Sequence, residues 1–322
     1  MREKPDSVKL IIQIPCLNEE ATLAETLADL PRQIEGIDII ETLVIDDGSD
    51  DATSDVARTV GADHVVREPV NQGLARAFSA GLDYALKHGA DIIVNTDADN
   101  QYRGSCVTAL VAPILKGEAD IVVGNRNPHR LRHFSFTKRM LQAFGSWIVR
   151  GLSGTTVPDV TSGFRAFSRE AALRMNVISD FTYTLETLIQ AGTKQLSVTH
   201  VDVEVNPDTR PSRLFDGVAS YLYKSVATIG RIYALYNPLR VFTLIGIALF
   251  LGGAGIGARF IYDYMTVGGE GHIQSLIAAA VLLLAGFQTV LIGLVADLIG
   301  SSRRLLEDAL LRIRRLELGE PD

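Results

Sequence analysis

The chain has 322 residues, enough for one large domain plus an appendage. Its formal net charge of −7 argues against a nucleic-acid partner, which would call for a basic surface. The cysteines, Cys16 and Cys106, are far apart and in no metal-ligand spacing, so the sequence offers no disulfide framework and no zinc site and fits a reducing compartment.

The N-terminal stretch, MREKPDSVKL, is charged and lacks an apolar core, which argues against a signal peptide. From there to about Pro211, short Val- and Ile-rich runs alternate with helical segments. Residues 8–14 (VKLIIQI), 39–45 (IIETLVI), 91–97 (DIIVNTD) and 119–124 (ADIVVG) lack strict alternation, as strands buried on both faces do. Residues 20–29, 51–59 and 74–87 read as helices, and Gly61 and Gly89 suit C-terminal caps. This repetition predicts an α/β fold with a doubly wound, mostly parallel sheet. Ligands of such sheets bind beyond the carboxyl ends of the strands, where three polar motifs here should meet.

The hydrophobic fraction of 47% is concentrated near the C-terminus. Residues 241–261 are apolar except for Thr243 and Arg259, and residues 275–295 except for Ser275, Gln288 and Thr289. Each run has the roughly 20 residues needed to cross a bilayer, so a transmembrane hairpin is predicted over 239–300; a buried soluble hairpin is the alternative. Gly253 and Gly257 have the spacing for close helix packing, including packing against a second copy as a homo-oligomer. Arg231 and Arg240 precede the first run, and Arg303, Arg304, Arg312, Arg314 and Arg315 follow the second. The loop at 262–272 has no Lys or Arg. The positive-inside rule therefore places both termini and the large domain in the cytoplasm, with Arg259 snorkelling at the outer end. The resulting plan is a cytoplasmic domain over 1–213, a juxtamembrane segment over 214–238, the hairpin, and a basic tail over 301–322. The juxtamembrane segment carries Tyr221, Tyr223, Tyr233 and Tyr236. It reads either as an amphipathic helix on the membrane or as a connector packed on the domain.

Asp97-Ala98-Asp99 follows an apolar strand. Carboxylates one residue apart in an extended stretch point the same way and repel. A hard divalent cation, Mg²⁺ or Mn²⁺, removes that repulsion, and Gln101 adds a carbonyl oxygen; a solvated loop is the alternative. Residues 14–20 (IPCLNEE) follow the first strand, where Pro15 is expected to stop the ladder. Asn18, Glu19 or Glu20 would bond a nucleobase or cap the next helix. Asp46-Asp47-Gly48-Ser49 follows the second strand. It reads as an acceptor for a base N–H, as an Asx-turn, or as both. Residues 121–158 contain no acid but include Arg126, Arg130, Arg132, Lys138, Arg139 and Arg150 among aromatics. This composition suits an anionic membrane surface or a lipid phosphate, or else a solvated helix face.

The stretches IPCLNEE, VIDDGSDDAT, NQGLARAFSAGL, NTDADNQ, VVGNR and DVTSGFRAF, in this order, resemble glycosyltransferase family two, with its GT-A nucleotide-sugar fold. Within it the chain looks most like the polyprenol-phosphate glycosyltransferases, over roughly residues 8–213. The resemblance implies a nucleotide pocket lined by Pro15, Asn18, Glu19, Asp47, Asn71, Gln72, Gly73 and Asp97. It implies a metal held by Asp97, Asp99 and Gln101 on the diphosphate of a UDP-sugar or GDP-mannose. It also implies an acceptor region with Asp159, Arg126, Arg139, Arg165, Glu186, Arg210 and Arg213. Close relatives often carry a basic residue near residues 71–73, and many close the domain with an Arg-x-x-Gly-x-Ser-Lys loop. Here the latter reads Arg210-Pro211-Ser212-Arg213, without the glycine and lysine.

The resemblance implies an inverting transfer, with Asp99 and Arg126 acting on the departing diphosphate. A polyprenyl phosphate acceptor is already ionised and needs no strong base. A hydroxyl acceptor on a glycolipid or polysaccharide needs one, and Asp159 is the candidate. An inactive, membrane-bound scaffold is the non-enzymatic alternative, against which the intact Asp97, Asp99 and Gln101 argue.

Overall fold

The computed structural model describes residues 7–126, 157–177, 183–206, 230–231, 233–234, 236–267 and 273–319. Its elements are β1 (Lys9–Cys16), α1 (Leu23–Asp29), β2 (Ile39–Asp46), α2 (Thr53–Val60), β3 (His64–Arg67), α3 (Leu74–Lys87), β4 (Ile92–Asn95) and α4 (Val107–Leu115). There follow β5 (Ile121–Asn125), β6 (Arg165–Ser168), α5 (Arg169–Arg174), α6 (Tyr183–Thr193), β7 (Val198–Asp202), α7 (Pro238–Val267) and α8 (Ile273–Glu317). Two compact units result: Met1–Ile229 with Leu311–Asp322, and Gly230–Leu310.

The first unit is built on a seven-stranded sheet in the order β3-β2-β1-β4-β6-β5-β7. Every pairing is parallel except those of β6, which runs antiparallel between β4 and β5. Both faces are covered, which explains the unalternating strands. Leu10, Ile12 and Ile14 of β1 join Val44 and Val94 in a core with Leu23 and Leu27 of α1 and Val107, Leu110 and Val111 of α4. On the other face, α3 lays Phe78 against Phe167 of β6, with ring centroids 5.7 Å apart. Gly61 ends α2 in the left-handed conformation, φ 88°, its N–H donating back to Ala57 and Arg58 carbonyls.

Pro15 does not end β1, contrary to expectation. The strand stays paired with β2 as far as Cys16. The carbonyls of Lys9 and Gln13 face β4, accepting from Asp91 and Thr96, whereas those of Val8 and Cys16 face β2. Pro15 shares the parity of Lys9 and Gln13, so its missing N–H falls on the β4 side, where the ladder already stops at Gln13. Pairing is thus ended on one edge of the strand only.

In the second unit α7 and α8, of 30 and 45 residues, form a hairpin; each is long and apolar enough to cross a membrane. A Cβ on Gly246 would come 2.8 Å from the Gly286 carbonyl oxygen, and one on Gly253 3.0 Å from that of Ala279. Gly246 and Gly253 are therefore used against the hairpin's own second helix, and a Cβ on Gly257 would lie 3.7 Å from Ala279 Cβ of that helix. Residues 301–317 of the basic tail continue α8, which runs unbroken to Glu317. Its last turns belong to the first unit, where Arg314 Nη1 donates to the carbonyls of Leu173 (3.0 Å) and Met175 (2.9 Å), and Arg315 Nη2 pairs with Glu170 at 2.9 Å. The juxtamembrane segment over 214–229, most of the acid-free basic stretch, and Arg139, Arg210 and Arg213 lie outside the described residues.

Candidate active site

The motifs after β1, β2 and β4 meet at the carboxyl edge of the sheet, as a parallel arrangement requires. The loops after β1 and β2 are laced together. Asn18 adopts φ 57°, its backbone N–H donates to Ser49 Oγ (2.9 Å), and its Oδ1 accepts from Asp50 N–H (2.9 Å). Glu19 N–H donates to Thr53 Oγ1 at 2.8 Å, and Glu20 Oε2 accepts from Ala52 N–H at 3.0 Å. Asn18 is thus a loop lock and not a helix cap, because α1 begins only at Leu23 after Thr22.

Asp46 takes the Asx-turn reading, and Asp47 bonds backbone of another segment. Asp46 is fully buried and closes the turn, accepting from Ser49 N–H at 2.8 Å and from Ser54 Oγ. Asp47 accepts from the N–H groups of Gln72 and Gly73, each at 2.8 Å, and so holds the segment that enters α3. Gly48, at φ 72°, admits that segment: a Cβ there would sit 2.6 Å from Asn71 N. Arg67, at the end of β3, donates to the Ser49 carbonyl at 2.8 Å.

Asp97-Ala98-Asp99 lies beyond the end of β4 in a turn, not in extended chain. The turn is pinned by Thr26 Oγ1 donating to the Ala98 carbonyl (2.9 Å) and Gln101 N–H donating to Asp99 Oδ1 (3.1 Å). The carboxylates still act on each other. Burial, then the charge of Asp99, pushes the Asp97 carboxyl up to about 7, with Glu19 adding and Arg126 partly offsetting. Among the described residues no group of three His, Cys, Asp or Glu side chains is arranged for a metal. Asp97 and Asp99 supply two carboxylates, so further ligands would come from Gln101 and from a bound diphosphate. A carboxyl raised by burial and then by its acidic neighbour fits a divalent cation in chemistry and charge.

Arg126, just past β5, is clamped. Its Nε donates to Asp159 Oδ2 (2.7 Å), and its Nη2 donates to Asp159 Oδ1 (3.1 Å) and Thr161 Oγ1 (3.0 Å). The guanidinium lies over the Tyr102 ring, 6.0 Å from its centroid. Burial raises the Asp159 carboxyl, but the charge and hydrogen bonds of Arg126 prevail and hold it below the usual carboxylate range. A buried carboxylate with both oxygens engaged is a poor proton acceptor, which corrects the expectation of a general base at Asp159.

Arg165 is corrected as well. It is fully buried, and its guanidinium donates to the carbonyls of Ser162, Thr184 and Val160 and to Thr187 Oγ1. It ties β6 to α6 and does not face an acceptor phosphate. Glu186 is buried on α6 and accepts from Gln190 Nε2 at 3.2 Å.

Beneath the acidic turn lies a polar network that sequence reasoning missed. Gln13 Nε2 donates to Asn95 Oδ1 (2.9 Å), while Asn95 Nδ2 donates to the Gly163 carbonyl (2.9 Å) and to Tyr183 Oη (2.9 Å). Tyr183 stacks on Phe78 at 3.9 Å, and Tyr102 stacks on Phe164 at 4.8 Å. Gly163 sits against the acidic pair: a Cβ there would be 3.0 Å from Asp97 Oδ1 and 2.8 Å from Tyr183 Oη. The signal available was the presence of Gln13 and Asn95 inside otherwise apolar buried strands.

The sheet order, the antiparallel β6 and the acidic turn at its carboxyl edge define a GT-A glycosyltransferase. Residues 11–174, half of the chain, match Glycosyl transferase family 2, and residues 237–302 match the GtrB C-terminal hairpin. The chain belongs to glycosyltransferase family 2, and it is an enzyme of that class. It is 28% identical to the glycosyltransferase AglJ of Haloferax volcanii, over 97% of this chain and 99% of that protein. It is also 28% identical to an undecaprenyl-phosphate mannosyltransferase of Micrococcus luteus, over 62% and 83% of the two chains. Among solved structures, the glucosyl-3-phosphoglycerate synthase of Mycobacterium tuberculosis in complex with Mn²⁺, UDP-glucose and phosphoglyceric acid shares the fold. Its TM-score is 0.54 at 24% identity, covering 69% of this chain and 78% of that one.

Proposed function

We propose that the protein transfers a sugar, with inversion, from a nucleoside-diphosphate sugar to the phosphate of a polyprenol at the cytoplasmic membrane face. The observation that carries this reading is the Arg126–Asp159 clamp beside the acidic turn. It engages both oxygens of Asp159, the candidate base for a hydroxyl acceptor, and holds a guanidinium where a phosphate would be bound. A polyprenyl phosphate is ionised at neutral pH, and its oxygen attacks without prior deprotonation.

Asp97, Asp99 and Gln101 would hold Mg²⁺ or Mn²⁺, which when bound supplies positive charge to the departing diphosphate. Asn18, Glu19 and Asp47 shape the nucleoside side of the pocket together with Asn71, Gln72 and Gly73. Pro15 precedes them at the end of β1. The donor is a UDP-sugar or GDP-mannose; the former has support from the Mn²⁺ and UDP-glucose bound by the mycobacterial neighbour. The M. luteus relative is named for an undecaprenyl-phosphate acceptor, which supports the lipid. Arginines flanking the hairpin, with none at 262–272, support a cytoplasmic domain and cytoplasmic termini.

The test is purified full-length protein in detergent with Mn²⁺ or Mg²⁺, a panel of UDP- and GDP-sugars, and either polyprenyl phosphate or the free polyprenol. Labelled lipid is expected only with the phosphate and only with metal. Transfer to the polyprenol alone would overturn the acceptor assignment. Unchanged transfer in EDTA would overturn the metal.

A further inference from the structure

Gln13 of β1, Asn95 of β4 and Arg165 of β6 stand in one row across the sheet, because Gln13 pairs with Asn95 and Asn95 with Arg165. Residues paired in this way point to the same face, here the one covered by α3 and α6. All three are fully buried. Burying polar side chains in a row costs free energy unless they are bonded. Their bonds run to two places, the segment 160–163 and the first turns of α6.

Gly163 is held on both sides of its Cα. Its carbonyl accepts from Asn95 Nδ2 at 2.9 Å and from Tyr183 Oη at 3.3 Å, which uses both lone pairs. Its N–H donates to Tyr102 Oη at 3.4 Å. Asn95 Nδ2 also donates to Tyr183 Oη (2.9 Å), and Gln13 Nε2 donates to Asn95 Oδ1 (2.9 Å), so the Asn95 amide is fixed at both ends. Helix α3 closes on the row because residue 81 is glycine: a Cβ there would be 2.5 Å from Gln13 Oε1.

The held peptide is what Asp97 rests against. A Cβ on Gly163 would come 3.0 and 3.2 Å from the two carboxylate oxygens of Asp97. Asp99 is fixed differently, by the Gln101 N–H at 3.1 Å. We propose that Asn95 and Tyr183 are positioning residues: they fix the Gly163 backbone, which in turn seats the Asp97 carboxylate for a divalent cation. Neither is itself a ligand. The proposal deepens the metal reading given above and rests on it. A carboxylate already held at one angle loses little freedom when a cation binds, whereas a mobile one must be ordered at that moment. On the rival reading the row serves only to join α6 to the sheet, and it affects stability alone.

Full-length protein in detergent separates the two. Mn²⁺ is titrated with UDP and, in parallel, with GDP, and binding is followed by loss of the free-ion EPR signal. The nucleotide that supports binding by the parent is then used for the variants. Tyr183→Phe removes one oxygen and keeps the stack on Phe78. It is expected to weaken Mn²⁺ binding by about fivefold or more, as loss of an outer partner to a metal ligand does. Its melting temperature in EDTA should fall by only about 2–4 °C, the effect of one buried hydrogen bond. Ile12→Val lies on the opposite face of β1, lowers stability to a similar extent without touching the row, and should bind Mn²⁺ as the parent does. Asn95→Ala should weaken binding further, and Tyr183→Phe should add little to it, because both act through one peptide. Unchanged Mn²⁺ affinity in Tyr183→Phe, or an equal loss in Ile12→Val, overturns the positioning role while the metal reading stands. A parent protein that binds no Mn²⁺ with either nucleotide overturns the metal reading itself, and this inference with it.

Discussion

Asp97 is a costly residue in the metal-free protein. Its folded pKa of about 7 lies above the ordinary carboxylate value of 3.8, so the folded state binds the proton more tightly than the unfolded chain. The penalty is absent below pH 3.8, builds as pH rises to about 7, and is complete above that. Three pK units correspond to roughly 4 kcal/mol as an upper bound. Asp97→Asn should therefore raise the melting temperature in EDTA at pH 8 by several degrees and leave it little changed at pH 4. The same substitution should abolish the shift that Mn²⁺ gives the parent protein. A variant no more stable than its parent at pH 8 would place the carboxyl in a far more solvated site than the one described. Gly163 is the companion case. Gly163→Ala drives a methyl into the contact between Asp97 and Tyr183, where the stacked Tyr183 ring has no room to retreat. Activity should fall at least tenfold, equivalent to about 1.4 kcal/mol in the transition state, with metal affinity weakened in the same variant.

At the scale of elements, what was legible followed from length and apolarity. β1, β2, β4 and β5 are buried runs with hydrophobic side chains on both faces, and each was readable to within about two residues. The helix α3 was readable to the residue, because Gly73 and Lys87 mark its ends. β3, β6 and β7 are four, four and five residues long and carry no periodicity of their own. β6 is the instructive one: Arg165-Ala166-Phe167-Ser168 read as the tail of a site motif, and only its pairing with Ile92–Asn95 and with β5 makes it a strand. That pairing buries Arg165 and removes it from the acceptor side. The same blindness to tertiary pairing hid the Arg126–Asp159 clamp, whose members are 33 residues apart. Loop contacts at this scale make a further prediction. Gly48 supports a positive φ and touches the backbone of Val70 and Asn71. Gly48→Ala should cost about 1 kcal/mol in backbone strain alone, plus the displacement of the Asn71–Gly73 segment. Donor KM should rise severalfold with a smaller change in kcat, separable by steady-state kinetics at saturating acceptor.

For the whole molecule, the hairpin is held by backbone proximity and not by large side chains. The carbonyl oxygens of Gly246 and Gly286 each lie 2.8 Å from the position a Cβ would take on the other residue. In a bilayer no hydrophobic force favours helix–helix over helix–lipid contact, so close packing of this kind supplies the association. The glycines fall into two sets by this measure. Gly246, Gly253, Gly286 and Gly293 each meet atoms of the facing helix within 3.0 Å, whereas Gly252, Gly255 and Gly300 meet nothing within 4 Å. Substitution should separate the sets. Gly286→Val forces the backbones apart and should lower the thermal stability of the detergent-solubilised protein and its yield in membranes. Gly252→Val, on an open face in an equally apolar setting, should match the parent in both measurements. Equal losses from the two would mean that hydrophobic length alone, and not the glycine contact, holds the hairpin together.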